Sequence, residues 1–277
     1  MCDAWVDSSI TWYHVGGSTK NKILRFQGPE ITRTWLAYSL YSAAVFGEMP
    51  FKALYSTPLV VDPTGKKISK SGKYRVDLDK LFLNHSVDTI ITWAAAHQGI
   101  SKLPIILENF KAHHTFQTKI VNFYKIAYSN SNFSDILKLS DLADCWIWAR
   151  TREILKKFEN AKNGGYGYVN MLIKFVRLHL SKKYLAIEKN AQRRAQVLKL
   201  ICEKLRPVMY TILPSLTAQL CEKYNLTLKN FSWGDIKFEY QDIPKDIIEI
   251  LLKKKDFSNS AIKKYDLKHY SRYAKIL

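Results

Sequence analysis

Three lysines and two hydroxyls crowd into Lys66, Lys67, Ser69, Lys70 and Ser71, directly after Asp62-Pro63-Thr64-Gly65. An apolar run from Leu54 to Val61 stops at that Asp-Pro pair. The spacing therefore predicts a turn, then a basic loop that leaves through Gly72, Lys73 and Arg75. Ammonium groups and hydroxyls so placed offer positive charge and hydrogen-bond donors to the oxygens of a polyanion. A solvated hairpin tip has the same composition, and residue types do not separate the two readings.

The elements that must position this loop can be read on either side of it. Ile23 to Phe26 is a short apolar run ending at Gly28-Pro29, which suits a buried parallel strand. Ile31, Trp35, Leu36 and Leu40 recur at helical steps up to Gly47. Ala53 to Val61 reads as a second strand, so that strand, helix and strand make a right-handed crossover with the basic loop at its carboxyl end. Residues 1–20 read as irregular. Asp77 to Ala96 predicts two short helices, and Leu103 to Tyr128 one long helix. Ser129 to Phe133 is a polar break.

Beyond Ser140 every apolar period is helical. One helix is expected from Ser140 to Asn163-Gly164-Gly165 and a second from Tyr168 to about Lys189. A third and fourth are expected to part near Pro207, with Pro214 bending the last. Four helices with short links describe a bundle. Residues 226–277 predict a short helix ending in Lys253, Lys254 and Lys255, followed by a tail in which basic residues, Arg272 among them, alternate with tyrosines.

The formal net charge is +19, and it is uneven: residues 1–140 hold 16 basic and 10 acidic side chains, residues 141–277 hold 27 and 14. A surplus of this size acts through phosphate neutralisation and counterion release, which makes nucleic acid the leading partner class. No apolar stretch is long enough to span a bilayer, so no membrane partner is expected. The N-terminus shows no basic-then-apolar signal pattern. Cys2, Cys145, Cys202 and Cys221 are too widely spaced for a metal knuckle and read as thiols of a reducing cytoplasm, with no metal site.

Lys67-Ile68-Ser69-Lys70-Ser71 resembles the Lys-Met-Ser-Lys-Ser signature of class I aminoacyl-tRNA synthetases. Gln27 to Trp35 and Leu59 to Gly65 resemble the flanking segments of valyl-tRNA synthetases of the archaeal and eukaryotic style. Trp5-Val6-Asp7-Ser8-Ser9, Asp88 to Ala95 and the helical stretch from Asp141 to about Tyr224 follow in the same order. The likeness covers roughly residues 1–225. The early His-x-Gly-His signature of that family has no counterpart here, so the resemblance implies the second half of a synthetase, beginning at its own Met1. The chain also departs from the family pattern at Pro29, Tyr74 and Ile91.

What the resemblance implies is a mostly α protein with a small α/β part. Residues 1–100 would be a partial Rossmann-like catalytic remnant, 101–139 a connecting helix and linker, 140–225 an anticodon-binding-like helical bundle, and 226–277 a basic extension. Lys67 and Lys70 would be the catalytic pair, with Gly28, Glu30, Ser69 and Ser71 joining them around ATP. Trp5 and Asp7 would be remnants of the amino-acid pocket. Arg150, Lys157, Lys182, Lys183, Arg193, Arg194, Lys253, Lys254, Lys255 and Arg272 would hold tRNA or another structured RNA. Autonomous activation is not expected; ATP and magnesium would be used only where a partner completed the site as a split valine–tRNA ligase. The open parallel sheet would be covered by Met1 to Thr19, by a second copy or by a partner protein.

Overall fold

The computed structural model describes residues 4–16, 23–68, 74–97, 99–129, 142–161 and 167–227. The chain divides into two compact units, one of residues 1–78 with 97–107 and one of residues 79–96 with 108–277.

In the first unit, α1 (Ala4–Ser9) and α2 (Thr11–Gly16) replace the irregular segment expected there. They pack on α3 (Trp35–Phe46), where the Trp12 indole N–H donates to Ser42 Oγ at 3.1 Å and Tyr13 stacks on Phe46 at 4.2 Å. Ser39 Oγ donates to the Ser9 carbonyl at 3.3 Å, tying the same helices at a second point. Helix α3 is apolar around its whole circumference, a pattern that belongs to a helix covered on all sides. Residues 4–16 cover one flank, burying Trp35, Ser39, Ser42 and Ala43, while Tyr41 stays 72% and Val45 80% exposed.

The expected crossover is present. Strand β1 (Leu24–Gln27) runs parallel to β2 (Ala53–Ser56), with α3 between them in sequence. The expected strand from Ala53 to Val61 is two strands. Pro58 has no amide hydrogen to give a ladder, and the Thr57 amide instead reaches back to the Gln27 carbonyl at 2.8 Å. Strand β3 (Leu59–Val61) then pairs in parallel with β4 (Lys102–Pro104) in a second two-stranded sheet. The long helix was expected to start at Leu103, but Leu103 and Pro104 belong to β4; burial of Leu103 beside β3 outweighs that local pattern.

The regular elements of the second unit are helical among its described residues. It contains most of α4 (Leu78–Asn84), then α5 (Val87–Ala96), α6 (Phe110–Ala127), α7 (Leu142–Ala161), α8 (Tyr168–Lys174), α10 (Ala191–Ile212) and α11 (Pro214–Lys223). Helix α6 lies within 101–139, the stretch expected to be a long connecting helix and linker, and its buried face belongs to this core. Phe116, Phe123 and Tyr124 of α6 pack with Trp146 and Ile147, Leu172, and Leu198, Leu205 and Val208 in one cluster. Each such side chain contributes roughly 1.5–3 kcal/mol relative to exposure, which outweighs local sequence preference.

The same burial explains α10, which continues through Pro207 without a break. The ring costs about 3 kcal/mol in a helix interior, and Leu205, Val208, Met209 and Ile212 are all buried around it. The helix ends at Leu213, and Pro214 opens α11 at a position where its missing amide hydrogen is not needed. After α8 the chain adopts a π-helix from Phe175 to Tyr184, then α9 (Leu185–Ile187), where a plain α-helix was expected.

Two polar networks lock this unit. Buried Asp144 on α7 accepts from the Tyr184 hydroxyl at 2.7 Å and from Arg193 Nε at 2.6 Å. Arg206 donates to the Thr227 carbonyl at 2.7 Å and to the Tyr128 hydroxyl at 3.3 Å, beside a stack of Tyr128 on Tyr224. Ser140, Asn163-Gly164-Gly165 and the tail from 228 onward, all given roles above, lie outside the described residues.

Candidate functional site

The basic loop leaves β3 through a turn built on one carboxylate. Asp62 Oδ1 accepts from the Thr64 amide at 2.8 Å, the Thr64 hydroxyl at 2.7 Å and the Lys66 amide at 2.9 Å. The backbone closes around it: the Gly65 amide donates to the Asp62 carbonyl at 2.9 Å and the Asp62 amide to the Lys66 carbonyl at 2.8 Å. Gly65 sits at φ +84°, in the left-handed region where a glycine is at ease and a side chain is strained. Lys67 then forms an antiparallel bridge with Val61, so its exposed side chain starts from a fixed backbone position.

Two anchors that sequence reasoning missed come from the β4 side. Lys102 Nζ reaches the Gly65 carbonyl at 3.5 Å, and the Tyr74 hydroxyl donates to the Ile105 carbonyl at 3.2 Å. Strand β4 carries little pattern of its own, so only tertiary structure reveals them. Tyr74, a departure from the family pattern, thus fastens the chain just beyond the loop. Ser69, Lys70 and Ser71 lie outside the described residues.

The Thr64 hydroxyl, and after it the Lys66 amide, hold the Asp62 carboxyl below the usual carboxylate range, against a smaller opposing cost of desolvation. A depressed folded-state value means that the turn is stabilised above the ordinary carboxylate range and loses that contribution as pH falls through the folded value. Amide shifts of Thr64 and Lys66 followed by NMR should titrate below the midpoint of an unstructured aspartate. In Asp62→Asn that transition should vanish.

At the end of β1, Gly28 precedes a 3-10 turn, Pro29–Ile31, whose Glu30 carboxylate folds back over it: a Cβ on Gly28 would lie 2.6 Å from Glu30 Oε2. Pro29, one of the departures from the family pattern, is the first residue of that turn. Trp5 and Asp7 both sit on α1 and are exposed. Arg25 from β1 covers the Trp35 ring at 3.9 Å. Among the described residues, no group of three or more His, Cys, Asp or Glu is placed to hold a metal ion.

Residues 1–104 match the family of class I tRNA synthetases for I, L, M and V. A valine–tRNA ligase of Pyrococcus abyssi is 29% identical over 177 residues, which is 56% of this chain and 20% of that protein. That of Sulfolobus acidocaldarius is 28% identical over 244 residues, 80% of this chain and 29% of that protein. The chain is valyl-tRNA synthetase-like. An isoleucine–tRNA ligase of Legionella pneumophila is 30% identical over 57% of this chain, so the likeness extends to the neighbouring specificity. This synthetase-like chain spans between a fifth and a third of the length of these ligases.

Solved structures agree on the fold. The LeuRS of Agrobacterium radiobacter K84, in a ternary complex with tRNA and LeuAMS, aligns with a TM-score of 0.64 at 17% identity, over 81% of this chain and 31% of that one. Methionyl-tRNA synthetase of Mycobacterium tuberculosis, in complex with methionyl-adenylate, aligns at 0.61 and 13% over 81% of this chain and 50% of that one.

The residues expected to touch RNA separate into two kinds in the helical unit. Lys157 and Lys182 are exposed, Lys183 is half-buried on the π segment, and Arg194 is half-buried on α10. Arg193 is committed elsewhere: its guanidinium is bonded to buried Asp144, so its place in the fold is as a counter-charge. Arg150 pairs with Glu153 at 3.0 Å. Lys253, Lys254, Lys255 and Arg272 lie outside the described residues. No described helix is long and apolar enough to cross a membrane.

Proposed function

We propose that this chain is a tRNA-binding protein of valyl-tRNA synthetase descent, which grips RNA with its helical unit and does not charge it alone. The supporting observation is a set of exposed cations on α7 and on the segment from α8 through the π-helix, which pack on each other: Arg152, Lys156, Lys157, Lys174, Arg177 and Lys182. None of the six has an ion-pair partner among the described residues. Free cations on neighbouring helices suit the spaced phosphates of a folded polynucleotide. That the LeuRS sharing this fold was solved with tRNA is consistent with it.

Retention of the purified chain on tRNA should weaken linearly in log affinity against log salt. Retention indifferent to salt would sink the reading. Pyrophosphate exchange with ATP and valine should be absent for the chain by itself.

The retained signature loop and the uncovered flank of α3 favour a second reading, in which a partner carrying the other half of a class I site docks on the first unit and completes a split ligase. There Lys67 and Lys70 would stabilise charge developing on pyrophosphate. Exchange that appears when the partner is added to the unaltered chain, but not when it is added to a Lys67→Ala and Lys70→Ala double variant of full RNA affinity, would select the second reading over the first.

A further inference from the structure

A cleft of about 290 Å³ opens in the helical unit between α7 and the junction of α8 with the π segment. Its walls carry Arg150 and Glu153 on one side and Asn170, Met171, Lys174 and His179 on the other. The volume is near the lower end for small-molecule sites, roughly 300–1,000 Å³, and so suits one nucleotide rather than a larger ligand.

The backbone around the cleft is unusual. Ten residues, Phe175–Tyr184, run as a π-helix, a form normally met as a single turn and often at functional sites. The Ser181 hydroxyl follows the same spacing, donating to the Val176 carbonyl five residues back at 2.8 Å. His179 is held edge-on to Trp146, with ring centroids 5.7 Å apart.

The informative residue is the acid. A surface that merely neutralises phosphates gains nothing from a carboxylate at its centre, and repulsion would weaken it. Glu153 nonetheless stands among the cations, fixed by Arg150 Nη1 at 3.3 Å and 3.0 Å to its two oxygens. A carboxylate held this way is a preoriented double acceptor with its charge already offset. Among the bases, guanine offers two adjacent donors, the ring N1–H and the exocyclic amino group. Lys174 is exposed at the rim, without an ion-pair partner among the described residues, and is free to meet a phosphate.

Resting on the RNA-binding reading above, we infer that this cleft receives one unstacked guanine nucleotide of a single-stranded RNA segment, its donor edge on Glu153 and its phosphate on Lys174. Single-stranded segments are where bases are free to be read on those edges.

The test uses the full chain and a fluorescein-labelled oligouridylate carrying a single central guanine, with inosine, adenine and abasic versions as comparisons. The guanine oligomer should bind about tenfold more tightly than the inosine one, which lacks the amino group. Glu153→Gln, nearly isosteric at a residue that is 41% exposed, should erase the preference while leaving affinity for the adenine oligomer in place. Lys174→Gln should weaken all the oligomers and keep the preference. Equal binding of guanine, inosine and abasic oligomers would overturn the inference and leave the RNA-binding reading standing. Failure to retain any oligomer or tRNA would overturn both. Displacement by a polyglutamate peptide as readily as by unlabelled oligomer would reduce the cleft to a cluster of cations.

Discussion

Asp144→Ala should lower the unfolding free energy of the helical unit by about 3 kcal/mol, the scale for breaking a buried ion pair by removing one partner. Asp144 is 0% exposed and joins three elements through two oxygens, one bonded to the Tyr184 hydroxyl and the other to Arg193 Nε. The alanine leaves a buried phenol and a part-buried guanidinium short of their shared acceptor and opens a small void besides. Urea denaturation checks it: the midpoint should fall with the slope unchanged. Asp144→Asn should cost less, since an amide oxygen still accepts from Tyr184. Burial, and after it Asp144, push the Tyr184 phenol above its ordinary value of 10.0. Stability from burying the neutral phenol is therefore fully present below that value and is lost as pH rises past it. Equal melting of Asp144→Ala and the wild type would show that the network carries no weight.

Asp88→Ala should cost about 2 kcal/mol, most of it concentrated at the start of α11. Asp88 is 2% exposed, and its carboxylate accepts from the Ser215 amide at 3.2 Å and the Leu216 amide at 2.6 Å. These are the second and third residues of a helix whose own cap, Leu213, has no side-chain acceptor to offer. A capping carboxylate is worth about 0.5–2 kcal/mol, and burial of orphaned amides adds to that. Thr92 secures the same corner by donating to the carbonyls of Asp88 at 2.7 Å and Ile212 at 3.2 Å. Hydrogen exchange at Ser215 and Leu216 should accelerate more than exchange in α6. Uniform acceleration across the unit would mean that Asp88 supports the whole core rather than this helix end.

Asp88 also shows how far the sequence could be read. Its match to the synthetase pattern was visible at the start, whereas its role depends on a helix more than a hundred residues later, which no local window contains. The helices of the second unit were legible because their apolar faces repeat every three or four residues and that face becomes the core. Strand β4 was not: Lys102-Leu103-Pro104 has one apolar residue and a proline, and only its pairing with β3 makes it a strand. The π segment was hidden for a related reason, since its apolar residues satisfy an α-helical template as well.

At the candidate site the turn was legible from Asp62-Pro63-Thr64-Gly65, because short polar side chains and a glycine specify such turns by themselves. Lys102 and Tyr74, which fasten it, were not, because their contacts depend on where β4 ends. Arg193 is the instructive case. A basic residue at a helix start looks like any other cation until the buried acid opposite it is known.

The Arg206 clamp on Thr227 has a local consequence. With that carbonyl fixed beside the paired tyrosines, Thr227 has a set position on the helical unit, so Arg206→Ala should release that residue while the core around Tyr124 stays in place.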